Sequence, residues 1–188
     1  MKSDAPKHPI VTKDGWVETI RKIASPNHDV RPEGAVVTLI VIHSISLPPG
    51  QFESGMVENF FTNKLPSGAH PYIDELLEVK VSAHFFVGRS GEITQFVSIN
   101  NRAWHAGLST WKEQDNCNDF SVGIEIEGSD SVPFTEEQYS SLNELLKLLF
   151  DALPSCSSNG VVGHSDIAPD RKTDPGPLFD WAKIGVER

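Results

Sequence analysis

The hydrophobic residues of this chain form several short continuous runs and one long periodic segment. Continuous runs rich in Val, Ile and Phe are typical of strands that are buried on both faces. Such runs predict strands at residues 36–42, 79–87, 92–97, 121–127 and 160–163. The turn at residues 89–91 separates the second of these strands from the third and predicts a hairpin.

A long helix is predicted to begin after Thr135, which can form a capping box with Gln138 three residues later. The apolar positions of this helix recur every three or four residues, at Tyr139, Leu142, Leu146, Leu149 and Leu153. This spacing places them in a single stripe that faces a sheet. Pro154 ends the helix because its ring cannot continue the hydrogen-bond pattern.

Shorter segments complete the expected fold. Short helices are predicted at residues 56–62, 72–77 and 177–184. Residues 16–23 are compatible with either a short helix or an edge strand. Strands and helices in this order predict a single α/β domain, residues 1–188, in which α-helices flank a central mixed β-sheet. Residues 1–14 form a polar N-terminal extension of that domain.

The charge of the chain narrows the classes of partner. Lysine and arginine number 16 against 26 acidic residues, which gives a formal net charge of −10. Nucleic-acid binding requires clustered positive charge, so we expect no nucleic-acid partner. No apolar run is long enough to span a membrane, and the polar N-terminal residues lack the apolar core of a secretory signal. We therefore expect a cytoplasmic protein with no membrane partner, in which Cys117 and Cys156 are reduced packing residues.

The most polar loop, residues 163–176, follows the last predicted strand and carries His164 near its start. His43 stands at the end of the most apolar strand. Because ligands in α/β sheets collect at the carboxyl ends of strands, the two histidines can meet there. Imidazole nitrogens and carboxylate oxygens are both ligands that zinc accepts. The carboxylates of this loop are Asp166, Asp170 and Asp174. A solvated surface loop built from turns is the alternative.

Two carboxylates lie in the strand predicted at residues 121–127. Side chains alternate along a strand, so Glu125 and Glu127 share one face. An ionised carboxylate on a covered face is costly unless a cation lies near it, and a metal with its bound water would supply that cation for Glu125. Glu127 ends the strand, where a structural or solvent-facing role is expected. The alternative is that this face of the sheet is open to water, in which case neither carboxylate needs a cation or a structural partner.

Four segments carry a pattern that specifies a family: residues 41–50, 102–107, 117–128 and 163–181, which read VIHSISLPPG, RAWHAG, CNDFSVGIEIEG and GHSDIAPDRKTDPGPLFDW. In this order they resemble the AmpD-type amidases, the N-acetyl-anhydromuramyl-L-alanine amidases of bacterial cell-wall recycling. The resemblance runs from about residue 16 to residue 181. Ser44 departs from it, since family members often carry asparagine there.

The resemblance implies the fold of peptidoglycan recognition proteins and favours a strand at residues 16–23. It implies one zinc ion per chain, held by His43, His164 and Asp174, with Glu125 and Lys172 as the catalytic pair. The zinc would lower the pKa of its bound water toward about 7. Glu125 would transfer the proton of that water, and Lys172 would help to stabilise the negative charge on the carbonyl oxygen.

The implied substrate is an anhydro-muropeptide, cleaved between the lactyl group of 1,6-anhydro-N-acetylmuramic acid and L-alanine. The residues predicted to contact it are His84, Arg89, Arg102, Trp104 and His105. Two of these have alternatives: His84 could instead hold a metal ligand, and Trp104 could simply pack. We expect a monomer. A muropeptide-binding module without activity and a lysin that acts on intact peptidoglycan are the alternative functions.

Overall fold

A six-stranded sheet forms the centre of the computed structural model, which describes residues 10–188. The strands are β1 (Arg21–Lys22), β2 (His28–Val30), β3 (Leu39–Ile45), β4 (Phe85–Val87), β5 (Ile93–Gln95), β6 (Asn101–Ala103), β7 (Thr110–Trp111), β8 (Gln114–Asp115), β9 (Ser121–Glu127) and β10 (Val161–Gly163). The helices are α1 (Met56–Phe61), α2 (Pro71–Glu75), α3 (Glu136–Ala152) and α4 (His164–Ile167).

The order of the strands across the large sheet is β1-β5-β4-β9-β3-β10. Strands β4, β9, β3 and β10 run parallel to one another. Strand β5 runs antiparallel to β4 as the second arm of the predicted hairpin, and β1 lies parallel to β5 at the edge. The sheet is therefore mixed, and the predicted α/β class is confirmed. Two small sheets pair β2 with β6 and β7 with β8.

Helix α3 covers one face of the sheet. The hydroxyl group of Thr135 accepts the backbone N–H of Gln138 at 3.1 Å, and the Gln138 side chain accepts the backbone N–H of Thr135 at 3.0 Å. This is the predicted capping box. The apolar stripe of the helix packs in one cluster with the residues of β3 and β9 that face it, Ile40, Ile42, Val122 and Ile124.

The opposite face of the same strands carries two smaller apolar clusters. One includes Val41 and Val162, and the other includes Phe61 and Phe86. Side chains that alternate with the helix-facing ones point to this second face. His43 follows Ile42, and Glu125 follows Ile124, so both belong to it. The polar residues of interest thus lie on the side of the sheet that α3 does not cover.

Several predicted elements differ in extent from the observed ones. The strand predicted at residues 36–42 is observed as β3, which starts at Leu39 and continues to Ile45. His43 therefore lies within the strand rather than at its end. The strand predicted at residues 79–87 is reduced to β4, because the backbone of Ser82 pairs with Trp104 in a loop instead. Residues 16–23 contain only the short edge strand β1, and residues 177–184 contain only a 3-10 turn, Trp181–Ile184.

The predicted polar extension falls in part on residues 1–9, which lie outside the described residues. Residues 10–14 pack onto the domain: the Asn100 side chain donates to the Lys13 carbonyl, and the Ser98 hydroxyl donates to the Asp14 carbonyl. Cys117 and Cys156 are buried and unpaired. Among residues 10–188, no helix has the length and apolarity needed to cross a membrane.

Candidate metal centre and active-site groove

Strand register brings the predicted polar residues into one row. His43 pairs with Glu125 across β3 and β9, and Glu125 pairs with Phe86 across β9 and β4. Gly163 pairs with Ile42 across β10 and β3, so His164 follows at the position level with His43. Neighbours in register on parallel strands point to the same face. Residues that are far apart in the sequence therefore meet on one side of the sheet.

Three side chains of this row and of the following loop converge on one point. His43 Nδ1 lies 2.9 Å from His164 Nδ1, and each of these nitrogens lies 3.1 Å from Asp174 Oδ2. His43 is 1% exposed and His164 is 3% exposed. Asp174 is held beside them because its backbone carbonyl accepts the N–H of Ser165 at 3.0 Å. These three groups can hold a metal ion.

The donor set fits zinc. His164 Nε2 lies 3.0 Å from the Ala106 carbonyl, which can only accept a hydrogen bond. The N–H of His164 is therefore at Nε2, and the lone pair of Nδ1 points toward His43 and Asp174. Zinc ligands at about 2.0–2.2 Å from the ion lie roughly 3.3 Å apart in a tetrahedron. The triangle of two nitrogens and one oxygen comes close to that spacing.

The protonation states are those that a metal requires. Burial lowers the pKa of His43 to about 4, so its imidazole is neutral near pH 7. Burial alone would raise the pKa of Asp174, but its contacts with His164 and His43 outweigh burial and hold that pKa well below its usual range. Metal ligands of these types bind as the neutral imidazole and the ionised carboxylate.

Glu125 is the second feature of the site. Its Oε2 atom is buried and has no hydrogen-bond partner among the described residues. Burial raises the pKa of this carboxyl well above its usual range, Asp174 raises it further, and Lys172 lowers it. Glu127 differs, because its oxygens accept the backbone N–H groups of Glu53 at 2.6 Å and Arg89 at 3.1 Å. Of the two carboxylates, only Glu125 keeps an oxygen free for chemistry.

A groove of about 530 Å³ runs over this site. Its polar part is lined by Trp104, His105, Glu125, His164, Lys172 and Asp174. The apolar part of its lining, which we call the apolar wall, includes Leu47, Phe60, Phe61, Tyr72, Leu76 and Val81. Lys172 is exposed, and its charge lies near enough to lower the pKa of both Glu125 and His43. The predicted metal ligands and the predicted catalytic pair thus lie in or beside one groove.

The competing carboxylates of the loop are placed elsewhere. Asp166 accepts the backbone N–H of Gly163 at 2.6 Å and pairs with Arg188 at 2.7 Å. Asp170 is exposed in a left-handed turn with φ 64°. Neither belongs to the group that can hold a metal ion. The resemblance implied Asp174 as the ligand, and Asp174 is also the aspartate of this loop that lies beside the two histidines.

The structure places three of the predicted substrate contacts outside the lining of the groove. His84 is 0% exposed; its Nδ1 accepts the N–H of Gly123, and its Nε2 donates to the Asn101 carbonyl. Arg89 donates to the Pro133 carbonyl at 2.9 Å. Arg102 forms ion pairs with Asp29 and Asp119. None of the three lines the groove. Each of these side chains instead has backbone or ionic partners within the protein.

Sequence reasoning also missed groove residues. Arg171 lines the groove and donates to the carbonyls of Ala106 at 2.8 Å and Leu108 at 2.5 Å. Its position next to Lys172 in the polar loop was a usable signal. The apolar wall from α1 and α2 gave none, because residues such as Phe60 and Leu76 have the pattern of ordinary core positions.

Known proteins are similar to this chain over most of its length. The family model described as N-acetylmuramoyl-L-alanine amidase matches residues 33–177. The 1,6-anhydro-N-acetylmuramyl-L-alanine amidase AmpD of Escherichia coli (strain K12) is 45% identical over 177 residues, which cover 94% of this chain and 96% of the relative. The protein of the same name from Haemophilus influenzae is 48% identical over 169 residues, or 90% and 92% of the two chains.

Solved structures match at the level of the whole fold. The crystal structure of a selenomethionine AmpD derivative superimposes with a TM-score of 0.90 at 43% identity and covers 94% of this chain and 98% of that one. The complex of AmiD from E. coli with anhydro-N-acetylmuramic acid-L-Ala-D-gamma-Glu-L-Lys superimposes with a TM-score of 0.58 at 29% identity. That match covers 94% of this chain and 65% of the other.

Proposed function

Because the chain belongs to the N-acetylmuramoyl-L-alanine amidase family, we propose that it hydrolyses anhydro-muropeptides at the amide bond between the lactyl group of 1,6-anhydro-N-acetylmuramic acid and L-alanine. The observation that carries the proposal is the convergence of His43, His164 and Asp174 beside the unpartnered Glu125. Similarity to AmpD over nearly the whole chain supports the choice of substrate.

One zinc ion per chain is the proposed cofactor, with His43 Nδ1, His164 Nδ1 and Asp174 Oδ2 as its ligands. Two neutral imidazoles and one carboxylate would leave such an ion a net charge of about +1. When bound, zinc lowers the pKa of a coordinated water to about 7 and polarises a carbonyl oxygen.

Glu125 moves the proton in the proposed reaction. Its buried Oε2 has no competing hydrogen bond, so it is free to accept a proton from the attacking water and to return it to the departing alanine nitrogen. The raised pKa of the carboxyl brings it nearer to neutrality than an exposed glutamate. A group that must both take and return a proton works best under that condition.

Lys172 stabilises charge in the same scheme. The carbonyl oxygen of the substrate becomes negative as its carbon turns tetrahedral, and an ammonium group at the groove is suited to hold that charge. Arg171, anchored beside it on two backbone carbonyls, is fixed where a peptide carboxylate can meet it. The two cations on one wall suit an anionic peptide.

The remaining groove residues suit the sugar. Trp104 lines the groove and is half-buried, so part of its ring is available to stack on a pyranose. The apolar wall offers contact to the lactyl and acetyl methyl groups. Of the residues predicted to bind substrate, Trp104 remains a proposed contact.

The proposal is tested by mass analysis of the products formed from a defined anhydro-muropeptide. We expect free peptide beginning with L-alanine and intact anhydro-N-acetylmuramic acid from the zinc-loaded protein, loss of both products after chelation, and their return with added zinc. Binding of the muropeptide without turnover would instead indicate a binding module. Release of peptide from intact peptidoglycan at a comparable rate would indicate a lysin.

Location and assembly complete the proposal. The similarity to AmpD-type recycling enzymes supports a cytoplasmic location, which cell fractionation tests; recovery in the periplasm would contradict it. We propose a monomer of 20.7 kDa, and light scattering during size-exclusion chromatography would show twice that mass if the protein were a dimer.

A further inference from the structure

We propose that His105 is a positioning residue: together with Ser121 it fixes the tautomer of His43 so that the Nδ1 lone pair of His43 faces the metal. The inference rests on the proposed metal site and replaces the predicted role of His105 as a substrate contact. It follows from a buried chain of hydrogen bonds that joins His43, His105, Ser121 and Cys117, which we call the His105 relay.

The hydrogen bond from Ser121 to the Cys117 carbonyl determines the donor and the acceptor in every other hydrogen bond of the relay. Ser121 Oγ lies 2.5 Å from the Cys117 carbonyl, and a carbonyl can only accept. The hydroxyl hydrogen of Ser121 is therefore used there, and only its lone pairs remain for the contact with His105 Nε2 at 3.1 Å. His105 consequently carries its hydrogen on Nε2 and a lone pair on Nδ1.

The tautomer of His105 in turn determines the tautomer of the metal ligand His43. His105 Nδ1 lies 2.9 Å from His43 Nε2, so His43 Nε2 must donate and must carry the hydrogen. This leaves His43 Nδ1 without one, and that nitrogen is the atom facing His164 Nδ1 and Asp174 Oδ2. The hydroxyl group of Ser121, which reaches the ligand only through His105, thus determines which nitrogen of His43 can bind the metal.

The tautomer of the second histidine ligand, His164, does not depend on another side chain. His164 Nε2 donates to the Ala106 backbone carbonyl, which no substitution can remove. His43 relies on two replaceable residues. The site therefore has one tautomer fixed by the backbone and one fixed by the relay, and only the second can be altered by mutation without touching a ligand.

Strand β9 is built to accommodate the relay. Ser121, Gly123 and Glu125 alternate along one face of it. A Cβ atom at Gly123 would lie 2.4 Å from His105 Cγ and 2.6 Å from His105 Nδ1, so only glycine leaves room for the imidazole. His105 is 9% exposed, and both of its ring nitrogens are engaged. The ring lines the groove but has no nitrogen left for substrate.

The direct test measures the tautomers in the unmutated, metal-free protein. Two-bond proton–nitrogen correlation spectra of the imidazole rings distinguish the two tautomers, and the His43 signals are assigned by their loss in His43→Ala. We expect the hydrogen of both His43 and His105 on Nε2. A hydrogen on Nδ1 of His43 in the folded metal-free protein would overturn the inference.

Zinc affinity is the second measurement. Ser121→Ala removes the acceptor for His105, and His105→Phe removes the acceptor for His43; loss of such outer partners typically weakens metal binding about 10–100-fold. Competition with a chromophoric chelator measures this without reference to activity. Ser109→Ala is the matched control, because this buried serine contacts the Cys117 N–H and is not part of the relay. Its affinity should equal that of the unmutated protein.

The outcomes separate the two proposals. Folded Ser121→Ala and His105→Phe proteins that bind zinc as tightly as Ser109→Ala would overturn the relay and leave the proposed function standing. An unmutated protein that binds no zinc, yet shows the predicted tautomer of His43, would overturn the proposed cofactor and leave the relay standing. In Ser121→Ala, we further expect part of the His43 signal to move to the Nδ1-protonated form.

Discussion

His43 and Glu125 stand directly opposite each other on the adjacent parallel strands β3 and β9. One belongs to the group that can hold a metal ion, and the other has a buried carboxylate oxygen with no partner among the described residues. Their relative position is thus set by backbone hydrogen bonds of the central sheet. The separation of these two side chains is therefore held more rigidly than that of two side chains on loops.

Glu125→Gln keeps the shape of the side chain and removes its capacity to accept a proton. We expect zinc content to be unchanged and turnover to fall about 10²–10⁴-fold, the usual contribution of general acid–base catalysis. Glu127→Gln on the same strand face is the control. It should lower stability by weakening the contacts to the backbone of Glu53 and Arg89, while the folded protein stays active. Equal losses in the two variants would contradict the role of Glu125.

Lys172→Met removes the ammonium group from the groove and keeps much of its stem. We expect the catalytic rate constant to fall roughly 10²–10³-fold, as when one donor to a developing oxyanion is lost. Lys172→Arg retains the positive charge and should recover part of that loss. If Lys172→Met raised only the Michaelis constant, Lys172 would act in binding alone.

Asp174→Asn and Asp170→Asn each remove one negative charge from the same loop. We expect zinc affinity to fall strongly in the first and to remain unchanged in the second, because Asp170 is exposed and outside the metal-binding group. Asparagine also tolerates the left-handed backbone at position 170. Metal analysis after dialysis measures both variants. Full zinc occupancy in Asp174→Asn would exclude this carboxylate as a ligand.

Arg102 and Trp104 are close in sequence, and the structure separates their roles. Arg102→Ala breaks ion pairs with Asp29 and Asp119 that are only partly shielded from water, so we expect a loss of about 1 kcal/mol in the free energy of unfolding. Its Michaelis constant should not change. Trp104→Ala should raise the Michaelis constant, because this ring lines the groove. The reverse pattern would restore Arg102 as a substrate contact.

His84 should make stability depend on pH. Burial lowers its pKa from 6.5 to about 3, and the nearby charge of Arg31 adds to this. In the unfolded chain, His84 therefore binds a proton below about pH 6.5, whereas in the folded protein it stays neutral until about pH 3. The free energy of unfolding consequently decreases as the pH falls from 6.5 toward 3. Each such group contributes at most about 1.4 kcal/mol per pH unit.

Denaturant unfolding at pH 6 and at pH 5, between the pKa of His84 in the unfolded chain and its pKa in the folded protein, measures this contribution. We expect His84→Gln to be less stable at pH 7 and to show a shallower dependence on pH than the unmutated protein. An identical slope in the two proteins would mean that His84 accepts its proton in the folded state.

The local sequence pattern was sufficient to predict the main strands and the long helix. Alternation and capping residues act over a few positions, so the sequence determined β9, the start of α3 at Thr135 and the hairpin of β4 and β5. Motif resemblance was sufficient for the family, which the comparisons confirm. Both kinds of information are contained in neighbouring residues.

The tertiary structure decided which of several equivalent polar residues share a site. Asp166, Asp170 and Asp174 differ little in local sequence, and only packing of the loop against β3 and β10 brings Asp174 to the two histidines. The His105 relay joins residues 62 and 16 positions apart in sequence, so no local pattern specifies it. Hydrogen-bond partners depend on distances of about 3 Å between segments, and such distances exist only once the sheet has formed.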